Sequence, residues 1–444
     1  VNSKDVLSTK RFDGSYHNAE VNVYNLVIEQ HSTHRLKYYC TEIFTSGRNK
    51  RVYTSKEYGY PFLSNSDVVA ANPFLSCKYS SRKYGYDDNA VLRKGMILTG
   101  RVGAIGQTAF VPEYLEKAKA MGSDNIIRIC VKPEHKNGFL YAYLASKIGN
   151  LSFWKHATGG VQPFITDAMV GELPIPNFPE SFQKEVDDLI QESAQLREEA
   201  AEALKKAHDF IEEKFDVASE KKSSRVSIQS IISSHNKRFE AFYHTSSNRS
   251  VYDYITSNFE YKTLGELTSN IFRPGIFKRE YVANGVTFLG GADILMAIPD
   301  SDKKLSFRQV EKMPELKVKK NWILVTCGGT IGNTVLIDAQ LEKCVISQHV
   351  MRVVPKDDIL KGYLFAVLSS KIGKDLITMF TTGSVIPQIE AHHLELVPVP
   401  LLDKGLMEQI DGLVSSYVTK IEESKQKEIA AINMVEAEIE KWNN

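Results

Sequence analysis

Two long stretches of the chain carry apolar residues at alternating steps of four and three. Leu189, Ser193, Leu196, Ala200, Ala203, Ala207 and Phe210 keep that rhythm in the first. Val414, Val418, Ile421, Ile432, Val435, Ile439 and Trp442 keep it in the second, with polar interruptions at Lys425 and Glu428. A four-three repeat sustained over several heptads predicts a coiled-coil seam. At 1.5 Å per residue, about 37 residues make a helix of roughly 55 Å. A lone charged helix of that length needs a partner, and each stretch is the obvious partner of the other. The alanines of the first predict a close helix–helix approach.

Elsewhere the period shortens. MILTGRV and AIGQTAFV alternate around glycine and read as paired strands, as do WILVTCG and TIGNTVLI. NIIRICVKP and HVMRVVPK are rich in β-branched residues and read as short strands. FLYAYLASKIG and YLFAVLSSKIG space their apolar residues as short amphipathic helices, and the PIP and PVP that follow predict turns that break the chain before each long helix.

These elements occur twice. TKRFDGSYH at 9–17 matches NKRFEAFYH at 236–244, at an offset of 227. GYPFLSNSDV at 59–68 matches GVTFLGGADI at 285–294, and KGMILTGRVGAIGQT at 94–108 matches KNWILVTCGGTIGNT at 320–334, both at 226. GFLYAYLASKIG matches GYLFAVLSSKIG, and LPIPNF matches VPVPLL, at 224. Ordered matches with so little drift mean one scaffold used twice. The halves differ freely between matches, notably at 20–57 and 246–283. The expected organisation is a first domain at 1–178, a long helix at 179–217, a polar connector at 218–233 containing SEKKSSRVS, a second domain at 234–402 and a second long helix at 403–444.

A length of 444 residues suits at least two folded units, and 43% hydrophobic with 25% charged residues is ordinary globular composition. No stretch is apolar enough to predict a membrane span or a signal core. Five cysteines with no CxxC pair predict a reduced, cytoplasmic protein. The net charge of +1 becomes informative when divided: 180–216 carries −7 and 404–442 carries −3, leaving +11 on the remainder. Such asymmetry points to a polyanionic partner.

Basic residues gather where the halves diverge. Arg35, Lys37, Arg48, Lys50, Arg51 and Lys56 face only Glu42, and Lys78, Arg82 and Lys83 interleave with Tyr79, Tyr84 and Tyr86. In the second half Arg273, Lys278 and Arg279 precede Tyr281, and Lys303, Lys304 and Arg308 precede Lys317, Lys319 and Lys320. Cations mixed with aromatics in the variable parts of a duplicated scaffold suit DNA reading better than a plain solvated face. Arg101 joins them as a DNA-binding candidate.

Other motifs favour structural readings. GRVGAIG and CGGTIGN lack the GxxxxGK[ST] spacing of a phosphate loop, so a hairpin or bulge role is preferred. Asp300 with Glu315 and Lys317 has the composition of a metal-dependent nuclease site, but the segment reads as a solvated loop without a counterpart in the first half. Asn72-Pro73-Phe74 reads as a turn. His31, His34, His392 and His393 lack the companions of a metal site, and no GxSxG elbow is present.

The whole pattern resembles the specificity subunit of Type I restriction-modification systems. The residues carrying the resemblance are Thr158, Gly159, Gly160, Val161, Gln162, Pro163 and Ile165 with Leu173, Pro174, Ile175 and Pro176. Their counterparts are Thr382, Gly383, Ser384, Val385, Pro387, Gln388 and Ile389 with Val397, Pro398, Val399 and Pro400. Glu408-Gln409, and more loosely Gln183-Lys184-Glu185, match the family's helix start. The resemblance implies an α+β fold in which two tandem β-rich target recognition domains are separated by two long helices in an antiparallel coiled coil. It implies double-stranded DNA as ligand, each half reading one part of a bipartite target while the helices set the spacing. It also implies two modification subunits and further restriction subunits as partners. No catalytic residue, metal or cofactor is expected on this chain; S-adenosylmethionine, ATP and Mg²⁺ belong to the partners. Val1 is unusual as a first residue, and residues before it are expected to be absent. Two other classes stay open: a nuclease cleaving by itself with Mg²⁺, and a coiled-coil adaptor with no salt-dependent DNA affinity.

Overall fold

The computed structural model describes residues 16, 19–48, 50–159, 161–215, 226–234, 237–240, 243–244, 247–383 and 387–442. Val1, most of the 9–17 repeat, several residues of its 236–244 counterpart, half of the connector, Gly160, Ser384 and Val385 lie outside them. The chain divides into two compact units, 1–198 with 423–444, and 199–422. Both boundaries fall inside long helices, so each unit takes part of both helices rather than ending where a sequence segment ends.

In the first unit, Cys40–Thr45, Ile126–Val131, Ile97–Gly100 and Thr108–Phe110 form an antiparallel four-stranded sheet in that spatial order. A second sheet runs Tyr53–Thr54, Lys78–Ser81, Gly59–Leu63, Met121–Gly122, its last pair parallel. The second unit repeats the first sheet with Thr268–Phe272, Val350–Pro355, Ile323–Thr326 and Thr334–Leu336. Its smaller sheet runs Lys304–Leu305, Tyr281–Leu289, Val345–Ile346, again ending in a parallel pair. The duplication of sequence is thus a duplication of strand order.

The main sheets are covered on both faces, as the period-two alternation of side chains permits. Ile97, Ile127 and Ile129 enter a core shared with the helix Asn137–Ala145, while Leu98, Ala109 and Ile126 enter another with Leu92 and Leu115. In the second unit Ile323, Val325, Met351 and Val353 face one core and Leu324 and Val350 the other.

Two expectations need correction. The helices Asn137–Ala145 and Lys361–Ser369 are not amphipathic: Gly138–Leu144 and Gly362–Leu368 are buried on every side. A helix apolar all round belongs in a core, and here each meets a long helix at a glycine. Asp187 accepts from the Gly138 N–H at 2.7 Å and Asp411 from the Gly362 N–H at 2.7 Å. A Cβ on either glycine would lie within 3.1 Å of Ile190 or Val414 as well as the carboxylate. The PIP and PVP segments, expected as turns, are strands. Pro174–Pro176 pairs antiparallel with Ser32–Arg35, and Pro398–Pro400 with Tyr261–Thr263. The ladder uses the flanking residues, Leu36 N–H to Leu173 O and Asn177 N–H to His31 O. The prolines therefore face away from the partner strand, where no N–H is required. Their carbonyls on that side are available, and the hydroxyls of Tyr143 and Tyr363 donate to Pro174 O and Pro400 O.

The long helices are Glu180–Glu212 and Lys404–Lys441. In the first unit Val186 and Ile190 share a core with Ala431, Val435 and Ile439, Ser193 bonds Ser424 at 3.0 Å, and Phe178 stacks on Trp442. In the second, Leu204, Ala207 and Ile211 share a core with Ile410 and Val414, and Glu199 pairs with Lys420. Within each unit, rising numbers on one helix meet falling numbers on the other, so the pairing is antiparallel.

Most positions of the expected seam are buried, Ser193, Lys425 and Glu428 among them, and the others flank it half-buried. Ala200, Ala203, Ala207, Val414, Ile421, Val435 and Ile439 are buried. Leu189, Val418 and Ile432 are half-buried flanks of the cores, whose nearest buried positions are Ile190 and Ala431 and whose half-buried neighbour is Tyr417. Leu196 is half-buried, and the adjacent Arg197 points into the seam, where it pairs with the buried Glu428. The Tyr141 hydroxyl donates to the same carboxylate. Burial, reinforced by that carboxylate, pushes the Tyr141 phenol well above its usual range.

Candidate nucleic-acid interface

Part of the basic clusters of the first half meets on the smaller sheet, whereas Arg35 pairs with Glu29 and Lys37 with Glu172 elsewhere in the unit. The register of the smaller sheet sets Tyr60 opposite Ser80, Phe62 opposite Lys78 and Tyr53 opposite Ser80, so these side chains share one face. Cations lie over that face: Lys78 Nζ 4.8 Å from the Tyr53 ring, Arg82 5.2 Å and Lys119 5.6 Å from Tyr60, and Arg51 5.6 Å from Phe62. Lys83 caps Tyr84 at 5.1 Å. Arg51 and Arg48 also reach Asp124 on the turn following the parallel strand. Lys50, exposed, stands beside them. Arg101 is half-buried on the next loop, its N–H donating to Asn125 O at 2.8 Å and its carbonyl accepting from Ile165 N–H.

The second half is arranged more sparsely. Arg279 lies 5.5 Å from the Phe288 ring and donates to Gln348 at 3.3 Å. Lys278, Lys303 and Arg308 are exposed and Lys304 is half-buried in its strand. Arg273 differs: it forms a bidentate pair with Glu390, at 2.7 and 3.2 Å, so its guanidinium is committed to a carboxylate.

Sequence reasoning missed what holds these faces. Arg128 and Arg352, on the central strands of the main sheets, are wholly buried. Arg128 donates to the carbonyls of Ser123, Ile126, Ala90 and Gly122, and Arg352 to those of Ser347, Val350, Leu316 and Ile346. Burial lowers both guanidinium pKa values to about 10, and the carbonyl dipoles satisfy the charge in place of a counter-ion. Each knot ties down the turn carrying Asp124 or Gln348. The matching IRI and MRV of the two strands, 224 residues apart, were the available signal.

The glycine loops are hairpin connections: Gly103 and Gly329 take φ of 75° and 77° between the paired strands, a conformation that suits glycine. Phe74 N–H donates to Asn72 Oδ1, making that segment a turn. Among the described residues no group of three His, Cys, Asp or Glu is placed to hold a metal ion, and no helix is long and apolar enough to cross a membrane.

Comparison with known proteins gives these faces a context. The family model described as the Type I restriction modification DNA specificity domain matches residues 37–192 and 256–433. No curated protein matches the sequence. Among solved structures, the chain is similar to the S subunit of a Type I restriction-modification system from M. genitalium, at 15% identity and TM-score 0.34, covering 92% of this chain and 94% of that one. It is also similar to the HsdS subunit from Thermoanaerobacter tengcongensis, at 17% identity and TM-score 0.29, covering 92% and 95%. With one copy of the domain matched in each half, over more than half of its length, the chain belongs to the family of Type I restriction-modification DNA specificity proteins.

Proposed function

We propose that this chain is the sequence-reading subunit of a Type I restriction-modification complex, each half reading one part of a bipartite double-stranded DNA target. The observation that carries the reading is the duplication itself: two specificity domains with one strand order, each presenting cations over aromatic rings. Phosphate contacts supply affinity and base-edge contacts supply discrimination, so matched scaffolds with different surfaces suit two different half-sequences. The paired long helices set the spacing between the half-sites and dock two modification subunits, with restriction subunits joining the assembly. In this reading the chain performs no catalytic step. S-adenosylmethionine-dependent adenine methylation, and ATP- and Mg²⁺-dependent translocation and cleavage, belong to the partners, and the assembly works in the cytoplasm.

Mapping methylated adenines in the genome of the source cell, with and without this gene, tests the reading. The expected result is one interrupted two-part motif that loses its methylation when the gene is removed. An unchanged methylation map contradicts it, and Mg²⁺-dependent cleavage by the purified chain alone would favour the nuclease alternative.

A further inference from the structure

The halves diverge at 20–57 and 246–283, yet one short string survives inside both: Lys50-Arg51-Val52-Tyr53 and Lys278-Arg279-Glu280-Tyr281, at an offset of 228. The structure places the two copies alike. Tyr53 packs edge-on against Phe62 at 6.0 Å, and Tyr281 packs tilted against Phe288 at 6.3 Å. Arg51 lies over Phe62 at 5.6 Å, and Arg279 over Phe288 at 5.5 Å. Each arginine is steadied by the side chain at one turn position, Asp124 or Gln348, 224 residues apart. Beneath each turn lies a buried guanidinium knot, Arg128 or Arg352.

The sign of the charge is kept although the steadying group changes. The first half uses a carboxylate and adds Arg48, which lies 3.5 Å from Asp124. The second uses a neutral amide and has Ile276 where Arg48 stands. Lys50, Arg51 and Arg48 outnumber Asp124 and Asp87 in the first half, and Lys278 with Arg279 stand beside the neutral Gln348 in the second, so each site is left net positive. Glu280 alternates to the other side of the extended chain, where it accepts from Ser306 at 3.4 Å. Arg51 and Arg279 are exposed and have donors left over after the steadying bond.

A constellation retained in two surfaces that otherwise differ must meet what two different half-sites share. That common feature is the sugar-phosphate backbone, since base edges change with sequence. Resting on the proposed DNA reading, we infer that Lys50-Arg51 and Lys278-Arg279 are matched phosphate clamps, one per half. They seat each domain on the duplex regardless of its sequence and leave base reading to the neighbouring, unmatched side chains.

The test uses the full chain assembled with modification subunits and a pool of duplexes randomised at the target positions. Affinity is measured across a salt series for the wild type, for Lys50→Gln with Arg51→Gln, and for Lys278→Gln with Arg279→Gln. Each double variant should lose affinity for every duplex and flatten the slope of log K against log salt by about two, at roughly 0.9 per phosphate. The selected base preferences should stay those of the wild type. Arg51→Lys, which keeps the charge but not the bidentate fork, should retain most of the slope. Thermal unfolding at the wild-type temperature shows that the fold is kept. A changed preference at one base position makes these residues base readers and overturns the inference, as does an unchanged slope in a folded variant. A wild-type chain with no selectivity for any duplex instead overturns the DNA reading on which the inference rests.

Discussion

Arg197 occupies a seam position where a leucine would ordinarily sit, and it is tolerated because Glu428 and the Tyr141 hydroxyl share its burial. The other half of the same chain supplies the contrast: the residues 224 positions away are Ile421 for Arg197, Leu204 for Glu428 and Phe365 for Tyr141. One seam thus solves with a charged triad what the other solves with apolar packing. Removing one partner of a buried pair strands the other charge, at about 3–5 kcal/mol, whereas replacing the whole set by apolar groups is often neutral. Arg197→Ile alone should therefore destabilise the chain by about 3 kcal/mol in denaturant unfolding. Arg197→Ile with Glu428→Leu and Tyr141→Phe should recover most of that loss. If the single and triple variants are equally unstable, the triad is not the unit that matters. Residue-scale chemistry was the least legible in the sequence. The four-three spacing includes Glu428 as a polar interruption of the seam but gives no sign of its partner, because Arg197 lies one residue beyond the expected Leu196. Arg128 and Arg352 were likewise passed over, because an arginine inside a β-branched run gives no sign of four carbonyls waiting for it.

At the scale of elements, periodicity carried well where one period ran long. The hairpins at 97–110 and 323–336, the strands at 126–131 and 350–355 and both long helices were legible from apolar spacing. The two short apolar runs were legible as helices but not as buried ones, because a helix buried on all sides has no polar face to reveal its orientation, and a Pro-x-Pro strand looks like a turn unless its partner strand is known. The proposed spacing role of the helices makes a prediction at this scale. Deleting 194–200 and 422–428 removes seven residues from each helix and keeps the seam in phase. The same deletions remove Arg197 and Glu428 together, so neither charge is left unpaired. At 1.5 Å per residue the pair shortens by roughly 10 Å, or about three base pairs at 3.4 Å each. The methylated motif should keep its half-sequences and lose about three base pairs of spacer. Methylation at the original spacing by a folded variant rules the helices out as the ruler. Removing four residues from each helix instead puts the seams out of register and should prevent assembly.

At the scale of the whole molecule, the repeated strand orders mean that one domain design was used twice, and the offsets of 224 to 228 between matched residues show how little each copy has gained or lost. This duplication was the most legible feature of the sequence, because ordered self-similarity needs no knowledge of packing. The division into compact units was not legible, since a helix gives no sign in its own sequence of where the neighbouring core changes. The central claim is that each half reads its own part of the target. Replacing residues 1–178 with the equivalent segment of a relative of different specificity, while keeping both long helices, and sequencing the methylated motif of the resulting complex tests it most directly. The account predicts that one half-sequence becomes the relative's while the other half-sequence and the spacer stay unchanged; a motif altered in both halves, or in neither, would contradict it.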